Sequence, residues 1–129
     1  MKIIDRYSRK KLARQARTIQ RRVVLCPPAE AKRVGILWHE NNQSAFSFLD
    51  HYFSQGNTIV RNLCFSEAKE SAGSNIITRK ENNWLGWPRS GAVDTFIETE
   101  FDLLLNCTVQ PCYPLEVITA LSHAAFKIG

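Results

Sequence analysis

The sequence predicts an α/β fold: a three-layer, doubly wound domain on a mostly parallel sheet, preceded by a basic N-terminal helix. Three observations carry this expectation. Short apolar runs that read as buried strands alternate with amphipathic helical segments, the pattern of βαβ units. The 129 residues, 44% hydrophobic and 22% charged, suit one globular domain around a single core. Right-handed crossovers between parallel strands then place helices on both faces of the sheet.

The elements follow in chain order. Residues 8–23 read as a helix whose Leu12, Ala16, Ile19 and Val23 recur at helical spacing and form one narrow apolar stripe. Cys26-Pro27-Pro28 ends it, because residues before proline are pushed out of helical geometry. This divides the chain into a basic helix and linker, residues 1–28, and an α/β domain, residues 29–129. Residues 34–38 (VGILW) form a buried strand. Residues 44–54 form a helix with Ala45, Phe48, Leu49, Tyr52 and Phe53 on its inner face, stopped near Gly56. Residues 58–65 are rich in β-branched and aromatic side chains and form the second strand, followed by a polar loop over 66–74.

A short third strand is expected over residues 75–78. NNWLGWPRSG (82–91) has turn chemistry around Trp84 and Trp87, whose rings are expected to pack that loop onto the core, with stacking on a base or sugar as the alternative. Residues 92–100 form a short helix carrying Val93, Phe96 and Ile97, and FDLLLN (101–106) is the expected central strand. Pro114 opens a helix to about Ser122, since proline suits a first turn, and residues 124–128 form a last strand. A closing strand lacks the covering helix usual in this architecture, a place the N-terminal helix is able to fill.

Charge is distributed unevenly. Residues 6–22, RYSRKKLARQARTIQRR, hold eight cations and no carboxylate. Residues 1–33 sum to +9 (eleven Lys/Arg, two Asp/Glu), and residues 34–129 to −4 (six Lys/Arg, ten Asp/Glu). A solvated helix ordinarily mixes signs and gains from i, i+4 pairs, whereas this one repels itself. An anionic partner removes that cost. RNA, or a ribonucleoprotein such as the ribosome, is the expected partner of Arg9, Lys10, Lys11, Arg14, Arg17, Arg21 and Arg22, because guanidinium pairs phosphate bidentately. An anionic membrane surface is the alternative, with Ile3, Ile4 and Tyr7 at the interface, although these lie off the Leu12 stripe. No run of eighteen apolar residues predicts a transmembrane helix, and no apolar signal region follows the N-terminus. A cytoplasmic location with reduced cysteines is therefore expected.

Open parallel sheets bind ligands at the carboxyl ends of their strands. That rim receives His39, Glu40, Asn41 and Asn42 after the first strand, Ser66 and Glu67 after the second, and Asn106, Cys107 and Thr108 after FDLLLN. His39 with Glu40 suits an acid–base pair, and Asn106 suits orienting a hydroxyl or carbonyl. On this alternative the protein is an enzyme acting on a nucleotide or sugar. Neither GxGxxG nor GxxxxGK[ST] occurs, so no cofactor is assigned, and no residue is assigned as catalytic. Cys107 and Cys112 are four residues apart in the intervening chain, wider than CxxC, and His123 adds no second pair, so no metal site is assigned. Cys64 reads as a buried small hydrophobe. Asp102, at a strand start, is expected to make a local hydrogen bond.

The segments AKRVGILWHEN, WLGWP, FDLLLN and LSHAAFKIG together resemble a small uncharacterised family of Bacteroidota proteins, a domain of unknown function. Its members begin with a basic helix, continue with a strand of the type AKxIGIL, and later carry FDLLIN and SxAxFKVG. They extend past the equivalent of Gly129 into a further helix, where this sequence stops. The resemblance spans roughly residues 1–129 and implies a Rossmann-like fold. It brings no activity and no catalytic residues. The resulting expectation is a non-enzymatic binding or assembly protein.

Overall fold

A computed structural model describes residues 2–18, 27–67, 75–83 and 85–128. The first helix, α1, spans Lys2–Thr18. There follow β1 (Arg33–His39), α2 (Gln43–Phe53), β2 (Ile59–Phe65), β3 (Ile76–Ile77), α3 (Gly91–Glu98), β4 (Leu103–Asn106), α4 (Tyr113–Leu121) and β5 (Phe126–Ile128). All five strands are parallel, in the order β3-β2-β1-β4-β5. This is the α/β, doubly wound arrangement that the alternation of strands and helices predicts.

The centre of the sheet differs from expectation. It is β1, RVGILWH, paired along its whole length with β2 and over residues 34–37 with β4. FDLLLN lies one place over, and its pairing starts only at Leu103. Phe101 is buried before the strand, and Asp102 Oδ2 accepts from the Lys32 and Arg33 N–H groups at 2.9 and 3.0 Å, so its hydrogen bonds tie β4 to the start of β1 and are not the local ones expected.

Side-chain alternation along β1 divides the core. Val34, Ile36 and Trp38 join Phe53, Leu49 and Phe46 of α2 on one face. Leu37 faces the other side, where Phe96 of α3 and Leu115 and Ile118 of α4 close over it. On α2 the inner face is Phe46, Leu49 and Phe53, because the Phe46 ring stacks on Trp38 at 4.2 Å and 3°. Phe48 and Tyr52, expected inside, point outward, Phe48 at 71% exposure.

Local chemistry sets the helix starts. Ser90 Oγ accepts from the Val93 N–H and caps α3, and Pro114 sits in the first turn of α4. The loop before α3 is built by Asn83, whose Oδ1 accepts from the Leu85 and Trp87 N–H groups. Gly86 there has φ of 81°, which glycine adopts without strain. This turn drives Leu85 and Trp87 into the interior, as expected of Trp87; Trp84 lies outside the described residues.

These two side chains form the seat of α1. Leu12 packs with Leu85, Trp87, Val117 and Leu121, so α1 lies on α4 and not over the last strand. One turn earlier, Ser8 is completely buried. Its hydroxyl donates to the Leu85 carbonyl at 2.7 Å and accepts from the Trp87 indole N–H at 2.9 Å. Because its one proton goes to Leu85, the Tyr113 hydroxyl, 2.6 Å away, donates to it. Ile19 and Val23 of the expected stripe lie outside the described residues.

Candidate functional sites

Two features gather the chain's polar chemistry. The first is α1. Ser8 and Leu12 fix its rotation, and with it the direction of the described cations from Arg6 to Arg17. Arg9 turns to the body: its guanidinium lies 4.5 Å from the Tyr113 ring centroid and 3.5 Å from Glu116 Oε2. Lys11 approaches the Trp87 ring at 5.9 Å. Arg6, Lys10, Arg14 and Arg17 are exposed. At 100° per residue they occupy an arc of about 80° opposite Ser8 and Leu12. Among the described residues no carboxylate pairs with any of the four. The structure therefore splits the expected anion-binding set into two body-facing cations and an outward row, to which Arg6 is added. Arg21 and Arg22 lie outside the described residues.

The second feature is the rim at the carboxyl ends of the strands. The chain leaves β1 toward α2 on one face and β4 toward α4 on the other, and a crevice opens there as in other open parallel sheets. It has a volume of about 460 Å³ and is lined by His39, Asn41, Glu67, Arg79, Asn82, Gln110, Cys112 and Tyr113 among others. The expected rim residues are treated unequally. His39 and Asn41 reach the crevice. Asn106 and Thr108 instead tie each other down: Asn106 Oδ1 accepts from the Thr108 N–H and hydroxyl, and its amide donates to Thr119 Oγ1 at 3.3 Å.

His39 and Glu40 serve different partners. His39 is buried, its Nδ1 accepts from the Asn41 N–H at 3.1 Å, and its Nε2 stands 3.5 Å from Glu67 Oε1. An acceptor Nδ1 puts the ring proton on Nε2, facing Glu67, so both nitrogens are directed at the protein itself. Glu67 in turn pairs with Arg79 at 3.1 Å. The Glu40 carboxylate accepts from the Glu67 N–H at 3.0 Å and the Ser66 hydroxyl at 2.8 Å, which hold it below the ordinary carboxylate range. Glu40 thus clips the end of β2 to the end of β1. Arg79, Asn82 and Gln110 were not legible as rim residues. Arg79 and Asn82 follow a two-residue strand, and the approach of Gln110 depends on the turn into α4.

A second, more apolar groove of about 370 Å³ lies beside β2, lined by Ile59, Leu63, Phe96 and Phe101, with Arg33 and Arg61 at its edge. It lies toward the amino ends of β1 and β2, away from the rim.

Among the described residues no three His, Cys, Asp or Glu side chains are close enough to hold a metal ion. Cys64, Cys107 and Cys112 are free thiols; Cys26 lies outside the described residues. Burial, with a further push from the Glu40 carboxylate, raises Cys64 from 9.0 to about 11, and burial also raises Cys107 and Cys112. A two-unit rise lowers the thiolate fraction roughly a hundredfold, and only the thiolate is nucleophilic. In a Cys26→Ser background at pH 8, thiol labelling is expected to be slow for all three and to speed up on unfolding in guanidinium. Rapid labelling of Cys64 in the folded protein contradicts this.

Among the described residues no helix is long and apolar enough to cross a membrane. No curated protein and no solved structure matches the chain. A family model does, over residues 2–129, and the chain accordingly belongs to the family of unknown function DUF6913.

Proposed function

We propose that this is a cytoplasmic, non-enzymatic binding or assembly protein that contacts RNA, or a ribonucleoprotein such as the ribosome, through α1. By the resemblance noted above, its source is Bacteroidota. One observation carries the reading. Arg6, Lys10, Arg14 and Arg17 form an outward row without described carboxylate partners, on a helix whose rotation is locked by a buried serine network. The eleven helical steps from Arg6 to Arg17 make that row about 16 Å long, enough to span several phosphates of one strand. A helix already docked also orders fewer groups on binding, which lowers the entropic cost of association.

The test is salt dependence. Four phosphate contacts to single-stranded RNA give a log–log slope of about −2.8, from roughly −0.7 each. Affinity is then expected to fall about 50-fold between 50 and 200 mM salt. Changing Arg6, Lys10, Arg14 and Arg17 together to Gln should remove most of that slope and weaken binding similarly across sequences, because phosphate contacts position without specifying. A parent protein that ignores RNA at low salt refutes the reading. If the parent instead binds anionic vesicles and the four-Gln variant does not, the membrane alternative takes its place.

A further inference from the structure

We infer that the rim crevice holds one ribonucleotide unit. As the crevice of an RNA-contacting protein this rests on the reading just given, but the geometry of the pocket stands independently. Among the described residues, two buried side-chain acceptors lack a hydrogen-bond partner, Asn42 Oδ1 and Asn82 Oδ1, and both stand on this rim. Buried acceptors are ordinarily satisfied, and Asn82 Oδ1, shielded from solvent at the edge of the cavity, is reached by a donor from outside the chain when its amide turns toward the crevice. Asn82 lines the crevice, and no donor among the described residues reaches its Oδ1.

The lining matches a nucleotide in three respects. Asn41, Asn82 and Gln110 carry amides, which present a donor and an acceptor side by side, as the edges of bases and the ribose hydroxyls do. Phe65 and Tyr113 supply apolar walls between them. One guanidinium, that of Arg79, lines the crevice beside its partner Glu67, and a second, that of Arg9, lies over the ring of Tyr113, itself a lining residue. Planar guanidinium suits a phosphate. The volume of about 460 Å³ lies in the range of small-ligand pockets and accommodates one nucleotide, not a duplex.

The crevice is also placed to receive a nucleotide from a strand on α1. Ser8 and Arg9 meet Tyr113 and Glu116 at the start of α4, whereas Leu12 meets Val117 and Leu121 further along. So α1 runs beside α4 in the same direction, and its N-terminal half lies at the rim. The outward row begins at the rim end of α1, the end nearer the crevice. A strand following the row can place one unpaired nucleotide in it, and a free nucleotide has the same chemistry.

The experiment compares ribonucleoside 5′-monophosphates, a single-stranded 12-mer RNA and the corresponding duplex, with the full chain as parent, Asn82→Leu and Gln110→Ala. Asn82→Leu removes the unpartnered acceptor, so its melting temperature should not fall; Gln110→Ala guards against a packing effect of leucine. The expected result is tighter binding of the single strand than of the duplex. Both crevice variants should lose that preference, about tenfold, with the salt slope unchanged. Asn82-dependent binding of monophosphates without RNA binding keeps the pocket assignment, names the free nucleotide as its source and removes the α1 reading. Equal binding of single strand and duplex, unaffected by either variant and with no monophosphate bound, overturns the inference and leaves the α1 reading in place.

Discussion

Replacing Gly35 with valine is expected to destabilise the domain by about 4 kcal/mol, and alanine there by about 2 kcal/mol, values in the range of overpacked cores and beyond. Gly35 has no positive φ, so backbone freedom is not the reason. Space is. A Cβ at Gly35 meets Phe101 Cε2 at 2.8 Å, Phe101 Cδ2 at 2.9 Å and Phe96 Cζ at 3.0 Å. The two rings brace each other, buried with centroids 4.8 Å apart, and any retreat has to be toward the apolar groove that both of them line. The strand cannot shift, because Gly35 pairs with Arg61 on one side and Leu104 on the other. Domains of this size hold only about 5–15 kcal/mol in reserve, so valine consumes a large part of it. Urea unfolding should show a lower midpoint with an unchanged slope. Phe96→Leu should partly rescue Gly35→Ala, a coupling measurable as a double-mutant cycle. An unchanged midpoint in Gly35→Ala excludes the tight contact.

The legibility of this fold in its sequence follows the same physics. VGILW and FDLLLN are visible because a parallel strand covered on both faces reads as a continuous apolar run. Their order in the sheet is not visible, since apolar content does not say which strand lies at the centre. On α2 the apolar residues at 45, 46, 48, 49, 52 and 53 wrap far enough to offer two overlapping faces. Trp38 decides between them by stacking on Phe46, a contact made only after the sheet forms. The rim was half legible. His39 and Asn41 follow an obvious strand, whereas Arg79 and Asn82 follow one of two residues whose pairing with Cys64 and Phe65 is non-local. Glu40 is adjacent to His39 in sequence, but the 3-10 turn over Glu40–Asn42 sends its carboxylate to β2 instead. Ser8 was hidden by its chemistry. The Leu12 stripe extends back to it at i−4, but a hydroxyl in a basic run reads as solvated.

Ser8→Ala should therefore cost about 3 kcal/mol, far above the usual effect of a serine in a charged helix. The hydroxyl is completely buried and serves three partners. Removing it strands the Leu85 carbonyl and leaves the Trp87 indole N–H only the longer 3.3 Å contact to Tyr113. Each unsatisfied buried group costs about 1–3 kcal/mol. For a chain of this length the melting temperature should fall by roughly 10 °C, and the Trp87 emission should shift red as water reaches the indole. Ser8→Thr keeps the hydroxyl and should restore part of the loss, which a mere packing role would not. The consequence reaches the proposed function, because Ser8 aims the helix without carrying charge. In Ser8→Ala the row of Arg6, Lys10, Arg14 and Arg17 keeps all its cations, so RNA binding should keep most of its salt slope. Affinity should nevertheless drop several-fold, since a loosened helix must be ordered again on binding. If stability falls as expected while RNA affinity does not, the docking of α1 serves the fold alone, and its cations bind without needing to be aimed.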